Sequence, residues 1–478
     1  MKLKPTDEQD LILNGVRKHG GNIQIRSYAG TGKSSSLELI SGILPPEPYL
    51  YVAFSKRVVE EAEDKRSKGE GLSGAAAIRT ANGLGHRVWA STIPSMGKPD
   101  TKKSGQIFRD VIKELSKACQ EEAWPEYWTV VSSVGMAKAL GYIPNGKFPN
   151  AKRLIDAEGL YARLDERPTR LAQDLTDRVL TESIRAAYKG WIDYDDQKYM
   201  PGLFGGTFPK FSTILVDEQQ DFSPIDYAML DKLAKGRIIG VGDQFQSIFA
   251  FRGAVQSGMD LAQTRYNMEP YELTISFRCP QAVVEAARWR VPNFKWIKPG
   301  GRVERLTSLK MREFPDDCTI ICRNNAPLFR LAFGLLGSGR GVRVIGSDIG
   351  PRILAILKKL GPEEMSRPQV ISAIEKWREL KLEKDSKSAN DTADCMAILA
   401  EHGDNLGQTC KYLEWIFSQQ GTIQLTTGHK SKGLEWDTVY HLDPWLCGGD
   451  EQDMNLKYVI TTRAKQSLYE IDSRSIEW

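Results

Sequence analysis

The sequence predicts an α/β protein with two parallel-sheet domains, each carrying a mostly helical insertion. Three observations lead there. Short apolar runs, each followed by a helical pattern, recur in two separate sets, and such alternation argues for parallel sheets. Two long stretches break that rhythm. A glycine-rich loop, Ala29-Gly-Thr-Gly-Lys-Ser34, joins one of the apolar runs to a helix.

The first set of strands is expected at Asn22–Tyr28, Tyr49–Phe54, Ser212–Val216 and Arg237–Val241. The second set is expected at Cys318–Cys322, Gly341–Ile345, Ile423–Thr427 and Thr438–Leu442. Strands buried on both faces read as such near-continuous apolar runs. From about residue 91 to 200 the chain is rich in helix formers and tryptophan, with turn clusters such as Ile143-Pro-Asn-Gly146. That stretch separates the glycine-rich loop from the acidic strand end at Asp217 by more chain than one α/β unit needs. From about 350 to 418 the pattern is helical again, with charged faces such as Lys381-Leu-Glu-Lys-Asp-Ser-Lys387. The expected organisation is therefore a first sheet domain at 1–90 and 200–270, with its insertion at 91–199. A second sheet domain spans 271–349 and 419–478, with a smaller insertion at 350–418.

Length and composition allow this. A chain of 478 residues suggests two to four domains, and 41% hydrophobic content is ordinary for packed cores. The net charge of +4, from 65 basic and 61 acidic residues, neither demands nor excludes nucleic acid. Seven cysteines, at 119, 279, 318, 322, 395, 410 and 447, are odd in number and widely spaced, as free thiols in a reducing compartment are. Cys318 and Cys322 read as one face of a buried strand, because no further zinc ligands lie nearby. The start, Met-Lys-Leu-Lys-Pro, has no apolar signal stretch, and no run reaches transmembrane length. The expectation is a cytoplasmic protein without a membrane span.

The loop has the context that phosphate binding requires, a strand before it and a helix after it. Ala29, Gly30, Thr31, Gly32, Lys33, Ser34 and Ser35 would wrap the phosphates of a nucleoside triphosphate. Backbone N–H groups at a helix start face phosphate oxygens. Lys33 would bridge the β- and γ-phosphates and Ser34 would ligate Mg²⁺. The strict pattern has a glycine where Ser27 stands. Ile214-Leu-Val-Asp-Glu-Gln-Gln-Asp221 is an apolar strand ending in carboxylates. Asp217 would hold Mg²⁺ through water, and Glu218 would orient and deprotonate the attacking water. Gln246, in Val241-Gly-Asp-Gln-Phe-Gln246, could reach the γ-phosphate or its water. Far downstream, Arg278 and Arg463 could sense the γ-phosphate from the second domain. Gln9 could read an adenine edge, while Thr6 beside it is also a good helix N-cap, so Gln9 has two readings.

Other residues suit nucleic acid. Phe249, Phe251 and Arg252 follow Gln246 directly. Aromatic rings stack on bases without reading sequence, and arginine holds phosphate. Phe54 is a similar candidate, and Thr80 and Asn82 could bond phosphate oxygens. Core packing is the competing reading for each phenylalanine.

Together these segments resemble the UvrD/Rep-type helicases of superfamily 1. The resemblance rests on AGTGKS, AFSK, RTAN, VDEQQD, GDQFQSIFAFRGA, SFRCP, TTGHKSKGLEWD and YVITTRA, with the glutamine segment near Gln9, from residue 6 to 464. The AFSK segment and Trp191-Ile-Asp-Tyr-Asp-Asp196 look most similar to the F-box DNA helicase branch and its phage and bacterial relatives, with no F-box region expected ahead of the motor. The resemblance implies two RecA-like motor domains, ATP and Mg²⁺ as cofactors, and single-stranded and duplex DNA as partners. It implies that Phe277 stacks on adenine, that Arg278 and Arg463 are the γ-phosphate arginines, and that Glu435, with Gly433 beside it, meets the ribose. Thr427 and His429, with Lys432 nearby, would touch the nucleic-acid backbone or link it to the ATP cleft, and the resemblance favours stacking for Phe251.

The chain departs from the family pattern in places. Asn82 stands where histidine is usual, and Phe249 and Phe251 where tyrosine or tryptophan is frequent. Met454 lies near a position that often carries arginine, and the second insertion is short. The expected activity is ATP-driven 3′→5′ translocation on single-stranded DNA with duplex unwinding. The alternatives are a translocase that strips bound proteins and an ATP-gated loading factor. Replication or recombination proteins are the expected, unidentified, protein partners.

Overall fold

The structure, a computed structural model, describes residues 4–53, 55–164, 167–250, 253–254, 257–345, 349–382 and 387–477. The chain divides into two compact units. One comprises Met1–Ser27 and Gly32–Leu273, the other Tyr28–Thr31 and Thr274–Trp478. Phe54, Phe251 and Arg252 lie outside the described residues.

The first unit is built on six parallel strands: β1 (Ile23–Ser27), β2 (Tyr49–Ala53), β3 (Ala76–Thr80), β4 (Phe211–Val216), β5 (Ala234–Gly242) and β6 (Glu269–Leu273). Their spatial order is β3-β2-β4-β5-β1-β6. The four strands read from apolar runs occupy the centre, where both faces are covered. One face packs Ile25, Tyr51 and Leu215 with Leu37 and Ile40 of the helix Lys33–Ser41. The other packs Val52, Ile214 and Val216 with Leu230 and Leu233 of the helix Pro224–Leu233. The two strands without an apolar run, β3 and β6, form the edges. The edge strand β6 carries Pro270 and two glutamates, which suit a border that pairs on one side only.

Between β3 and β4 the chain is helical from Ala81 to Phe204, interrupted by turns. Phe108, Val134, Val179, Leu180 and Tyr199 belong to a core centred on these helices. The longest helix of this stretch, Arg170–Tyr188, turns Leu180, Ile184 and Ala187 inward at helical spacing.

The second unit repeats the theme. Two short parallel pairs join β7 (Ile275–Ser276) to β8 (Lys295–Trp296), and β10 (Leu309–Lys310) to β16 (Ile476–Glu477). The main sheet has β9 (Arg302–Leu306), β11 (Thr319–Cys322), β12 (Val342–Ile345), β13 (Ile423–Thr427), β14 (Trp436–Leu442) and β15 (Ala464–Ile471), all parallel, in the order β12-β13-β11-β14-β15-β9. Among the described residues, four helices between Ile349 and Ser418 gather Ile353, Ile374, Met396 and Leu413 into a separate core. Two six-stranded parallel sheets therefore make the α/β class a property of the structure. All seven cysteines are free, and only Cys119 is exposed. Among the described residues no helix is long and apolar enough to cross a membrane.

Candidate nucleotide site and nucleic-acid face

The phosphate loop leaves β1 and enters the helix Lys33–Ser41. Gly30 and Gly32 adopt φ of 70° and 83°, a left-handed backbone that glycine tolerates without penalty. Ser27, at the position of the missing glycine, is the last residue of β1. Its Oγ donates to Gly242 O on the neighbouring strand β5 at 2.9 Å. The serine therefore serves as a strand residue, and no glycine is required there.

Lys33 Nζ donates to both carboxylate oxygens of Glu218, at 2.8 Å each. Burial disfavours the ammonium, but Glu218, Asp243 and Asp217 outweigh it and raise the Lys33 pKa. Asp217 sits at the tip of β4. Its N–H donates to Val52 O, its Oδ1 accepts from Glu218 N at 2.9 Å, and its Oδ2 accepts from Tyr51 Oη at 2.8 Å. Burial, reinforced by the Glu218 carboxylate, pushes the Asp217 pKa up to about 6. Asp243, at the end of β5, is likewise pushed up to about 6 by burial. Glu218 itself holds a left-handed backbone, φ 52° and ψ 46°. For a non-glycine residue that costs on the order of 1–3 kcal/mol, and such strain gathers where side chains must be aimed.

Three carboxylates around one ammonium leave an excess of negative charge. That excess fits a divalent cation. Among the described residues no cluster of three or more His, Cys, Asp or Glu side chains forms a self-sufficient metal site. A metal here would take most of its ligands from phosphate and water, as Mg²⁺ does in nucleotide sites. The Ser34 hydroxyl, exposed at the first turn of the helix, and the Asp217 carboxylate are the groups that would hold it.

Several residues of this site were not singled out from the sequence. Gln220 bridges two strand ends: its Nε2 donates to Glu218 Oε2 at 2.5 Å, and its Oε1 accepts from Asp243 N at 2.9 Å. Asp243 accepts from Gln246 Nε2 at 2.6 Å, which fixes the expected γ-phosphate glutamine against β5. Asp243 ends an apolar strand as Asp217 does, and that repetition was the available signal. Gln9 closes a capping box with Thr6 and also donates from Nε2 to Ser36 Oγ at 3.0 Å. The capping reading is thus present in the structure, and it ties the N-terminal helix to the phosphate-loop helix.

The second unit holds the remaining nucleotide candidates. Phe277 is partly exposed, and Arg278 pairs with the carboxylate of Glu435. Gly433, two residues before Glu435, has φ 83°. Arg463 is only 1% exposed. It donates to Val459 O at 2.8 Å, Leu434 O at 3.0 Å and Thr462 Oγ1 at 3.1 Å. Thr427 occupies the N-cap position of the short helix Gly428–Ser431, with an extended backbone. His429 lies on that helix, and burial, helped by Arg323, lowers its pKa to about 4, so it is neutral at pH 7.

Thr80 Oγ1 accepts from Gly83 N at 3.0 Å and so caps the helix Ala81–Thr92. Asn82 Nδ2 donates to Tyr194 O at 2.8 Å and to Gln197 Oε1 at 3.1 Å. Phe249 is half-buried. Tyr194, 55% exposed, was not singled out from the sequence. It rides on a rigidly held turn. Lys103 pairs with Asp196 at 2.5 Å, and Lys138 pairs with Asp193 at 2.6 Å and with Asp196 at 2.8 Å. Burial pushes Asp193 upward, but Lys138 and Lys103 outweigh it and hold the pKa at about 2.

A glycine-turned loop, a lysine and two strand-tip carboxylates on a parallel sheet define a phosphate-loop nucleotide-binding protein. The family model described as the UvrD/REP helicase N-terminal domain matches residues 9–267, and that of the UvrD-like helicase C-terminal domain matches 422–469. The chain belongs to the UvrD/REP helicase family, and membership implies use of ATP and binding of DNA. Similar relatives include F-box DNA helicase protein 1 of Schizosaccharomyces pombe, 24% identical across 97% of this chain and 57% of the relative. The putative ATP-dependent DNA helicase YjcD of Bacillus subtilis is 26% identical across 58% of this chain and 37% of its own length. DNA helicase II of Escherichia coli is 24% identical across 57% of this chain and 38% of its own. The chain thus spans about half or less of the length of these relatives.

Proposed function

We propose that this protein is an ATP-dependent DNA helicase that translocates 3′→5′ on single-stranded DNA and unwinds duplex. The observation that carries the reading is the cluster of Lys33, Asp217 and Glu218 at the phosphate loop. A protein that only bound nucleotide would need no strained, half-buried carboxylate beside the phosphate lysine. In this reading residues 1–90 with 200–270 and 271–349 with 419–478 are the motor domains, and 91–199 and 350–418 are their insertions. Lys33 neutralises the β- and γ-phosphates; Ser34 and Asp217 are the residues that would hold Mg²⁺, which would supply further positive charge to the phosphoryl oxygens. Glu218 exchanges its hold on Lys33 for the attacking water and takes its proton. Gln246, braced by Asp243, orients that water.

Arg278 and Arg463 stabilise the γ-phosphate. For this Arg278 must leave Glu435, and Arg463 must exchange carbonyl partners for phosphate. Phe277 and Gln9 hold adenine, with the spare amide hydrogen and lone pair of Gln9 facing the base, and Glu435 with Gly433 meets the ribose. Thr80, Asn82, Phe249, Thr427 and His429, with Phe54, Phe251 and Arg252, line the strand. The exposed Tyr194 joins them, since its carbonyl partner Asn82 belongs to the same set. Seven free cysteines support a reducing compartment such as the cytoplasm.

The test is ATP-driven strand separation of duplexes bearing a 3′ or a 5′ single-stranded tail. Unwinding from the 3′ tail alone is expected. Unwinding from the 5′ tail alone would refute the polarity. ATP turnover without unwinding of either would leave a translocase that displaces bound proteins.

A further inference from the structure

We infer that Tyr51 is a positioning residue for the metal of the nucleotide site. Its phenol aims the Asp217 carboxylate; this rests on the reading that Asp217 holds Mg²⁺. Tyr51 lies on β2, next to β4 in the sheet, and is aligned with Leu215. Asp217 is therefore two residues further along the strand direction, roughly 6.6 Å at ordinary strand rise. A tyrosine side chain covers that distance, and a serine or threonine hydroxyl would not. The ring is 4% exposed, packed with Leu37 and Ile40 of the helix that follows the phosphate loop. Its hydroxyl donates to Asp217 Oδ2 at 2.8 Å, while Glu218 N donates to Oδ1 at 2.9 Å.

The carboxylate is thus gripped at both oxygens. Its plane is set by one strand neighbour and one backbone amide, and each oxygen keeps a lone pair for metal-bound water. A phenol fixes the carboxylate without adding positive charge. Lysine or arginine in its place would hold Asp217 equally well and repel the cation. Hydrogen-bond partners behind a metal ligand typically change metal affinity by about 10–100-fold when removed.

The experiment titrates Mn²⁺, followed by electron paramagnetic resonance, into the full chain with a non-hydrolysable ATP analogue. Wild type, Tyr51→Phe and Asp217→Asn are compared, with analogue affinity and melting temperature measured without metal. Tyr51→Phe should weaken Mn²⁺ about tenfold and leave both metal-free quantities near wild type. Asp217→Asn should weaken Mn²⁺ too. If Asp217→Asn weakens Mn²⁺ and Tyr51→Phe does not, Tyr51 has no positioning role. If Tyr51→Phe lowers metal-free analogue affinity, or melts more than about 5 °C below wild type, its hydroxyl serves the fold and the inference fails. If neither variant changes Mn²⁺ affinity, the assignment of Asp217 to the metal falls, and this inference falls with it.

Discussion

Replacing Glu218 with glutamine should tighten ATP binding while stopping hydrolysis. Glu218 holds Lys33 through two hydrogen bonds of 2.8 Å, so the phosphates must displace a carboxylate to reach the ammonium. The two side chains are 14% and 25% exposed, which places the pair between surface and interior. Exposed pairs are worth up to about 1 kcal/mol, and breaking a fully buried one costs about 3–5 kcal/mol. A figure of about 1–2 kcal/mol is appropriate here, equivalent to roughly 5–30-fold in Kd. Glutamine keeps the shape and can still accept from Gln220, so the change isolates the charge. Calorimetric titration with ATP and Mg²⁺ measures the binding, and steady-state phosphate release measures turnover. Turnover should fall about 10²–10⁴-fold with the general base removed. Weaker ATP binding than wild type would refute the competition between carboxylate and phosphate. Wild-type turnover would remove Glu218 from the reaction.

Four further outcomes are expected. Lys33→Ala should abolish turnover, because three carboxylates then face the phosphates with no ammonium between them; residual phosphate release within tenfold of wild type would argue against it. Asp217 and Asp243 are raised to about 6, so the folded protein holds more protons than the unfolded chain between about pH 4 and 6. Their contribution to stability therefore falls as pH rises through that window, while hydrolysis, which needs the ionised forms, is lost as pH falls through about 6; melting curves and turnover across pH 4.5–7.5, with Asp217→Asn as control, read both signs. Lys103→Met should cost about 1–3 kcal/mol in denaturant unfolding, because it removes one of the two ammonium partners of the fully buried Asp196 carboxylate and leaves Lys138 as the other, and unchanged stability would contradict the burial. Tyr194→Ala should weaken single-stranded DNA binding by about 1–3 kcal/mol with little effect on DNA-independent ATPase, and unchanged binding would remove this residue from the strand-contacting set.

Most strands legible in the sequence have both faces buried, although Val342–Ile345 was legible as an edge strand with Arg343 exposed. Ile214–Val216 and Thr319–Cys322 are continuous apolar runs because helices cover each side of their sheets. The strands that escaped notice have physical reasons too. Arg302–Leu306 and Glu269–Leu273 are edges and carry charge. Ala464–Ile471 is internal, but only Ala464, Leu468 and Ile471 are buried, and polar residues interrupt the apolar run. At the site, the phosphate loop and the strand-tip Asp217–Glu218 pair were legible because their chemistry demands particular residues at particular distances along the chain. Tyr51, Gln220 and Tyr194 were not. An unremarkable tyrosine in an apolar strand carries no mark that its hydroxyl will meet a carboxylate 166 positions away.

By itself the sequence determined the α/β class, the helical stretches, the phosphate loop and the family, since these depend on local periodicity and short motifs. The tertiary structure decided who holds whom. It paired Lys33 with Glu218, gripped Asp217 between Tyr51 and a backbone amide, turned Gln9 into a cap, and buried Arg463 among carbonyls. Those outcomes follow from which strand ends and helix starts converge in space. That convergence depends on sheet order, β3-β2-β4-β5-β1-β6 in the first unit, in which the tips of β2, β4 and β5 are neighbours although long segments of chain separate them.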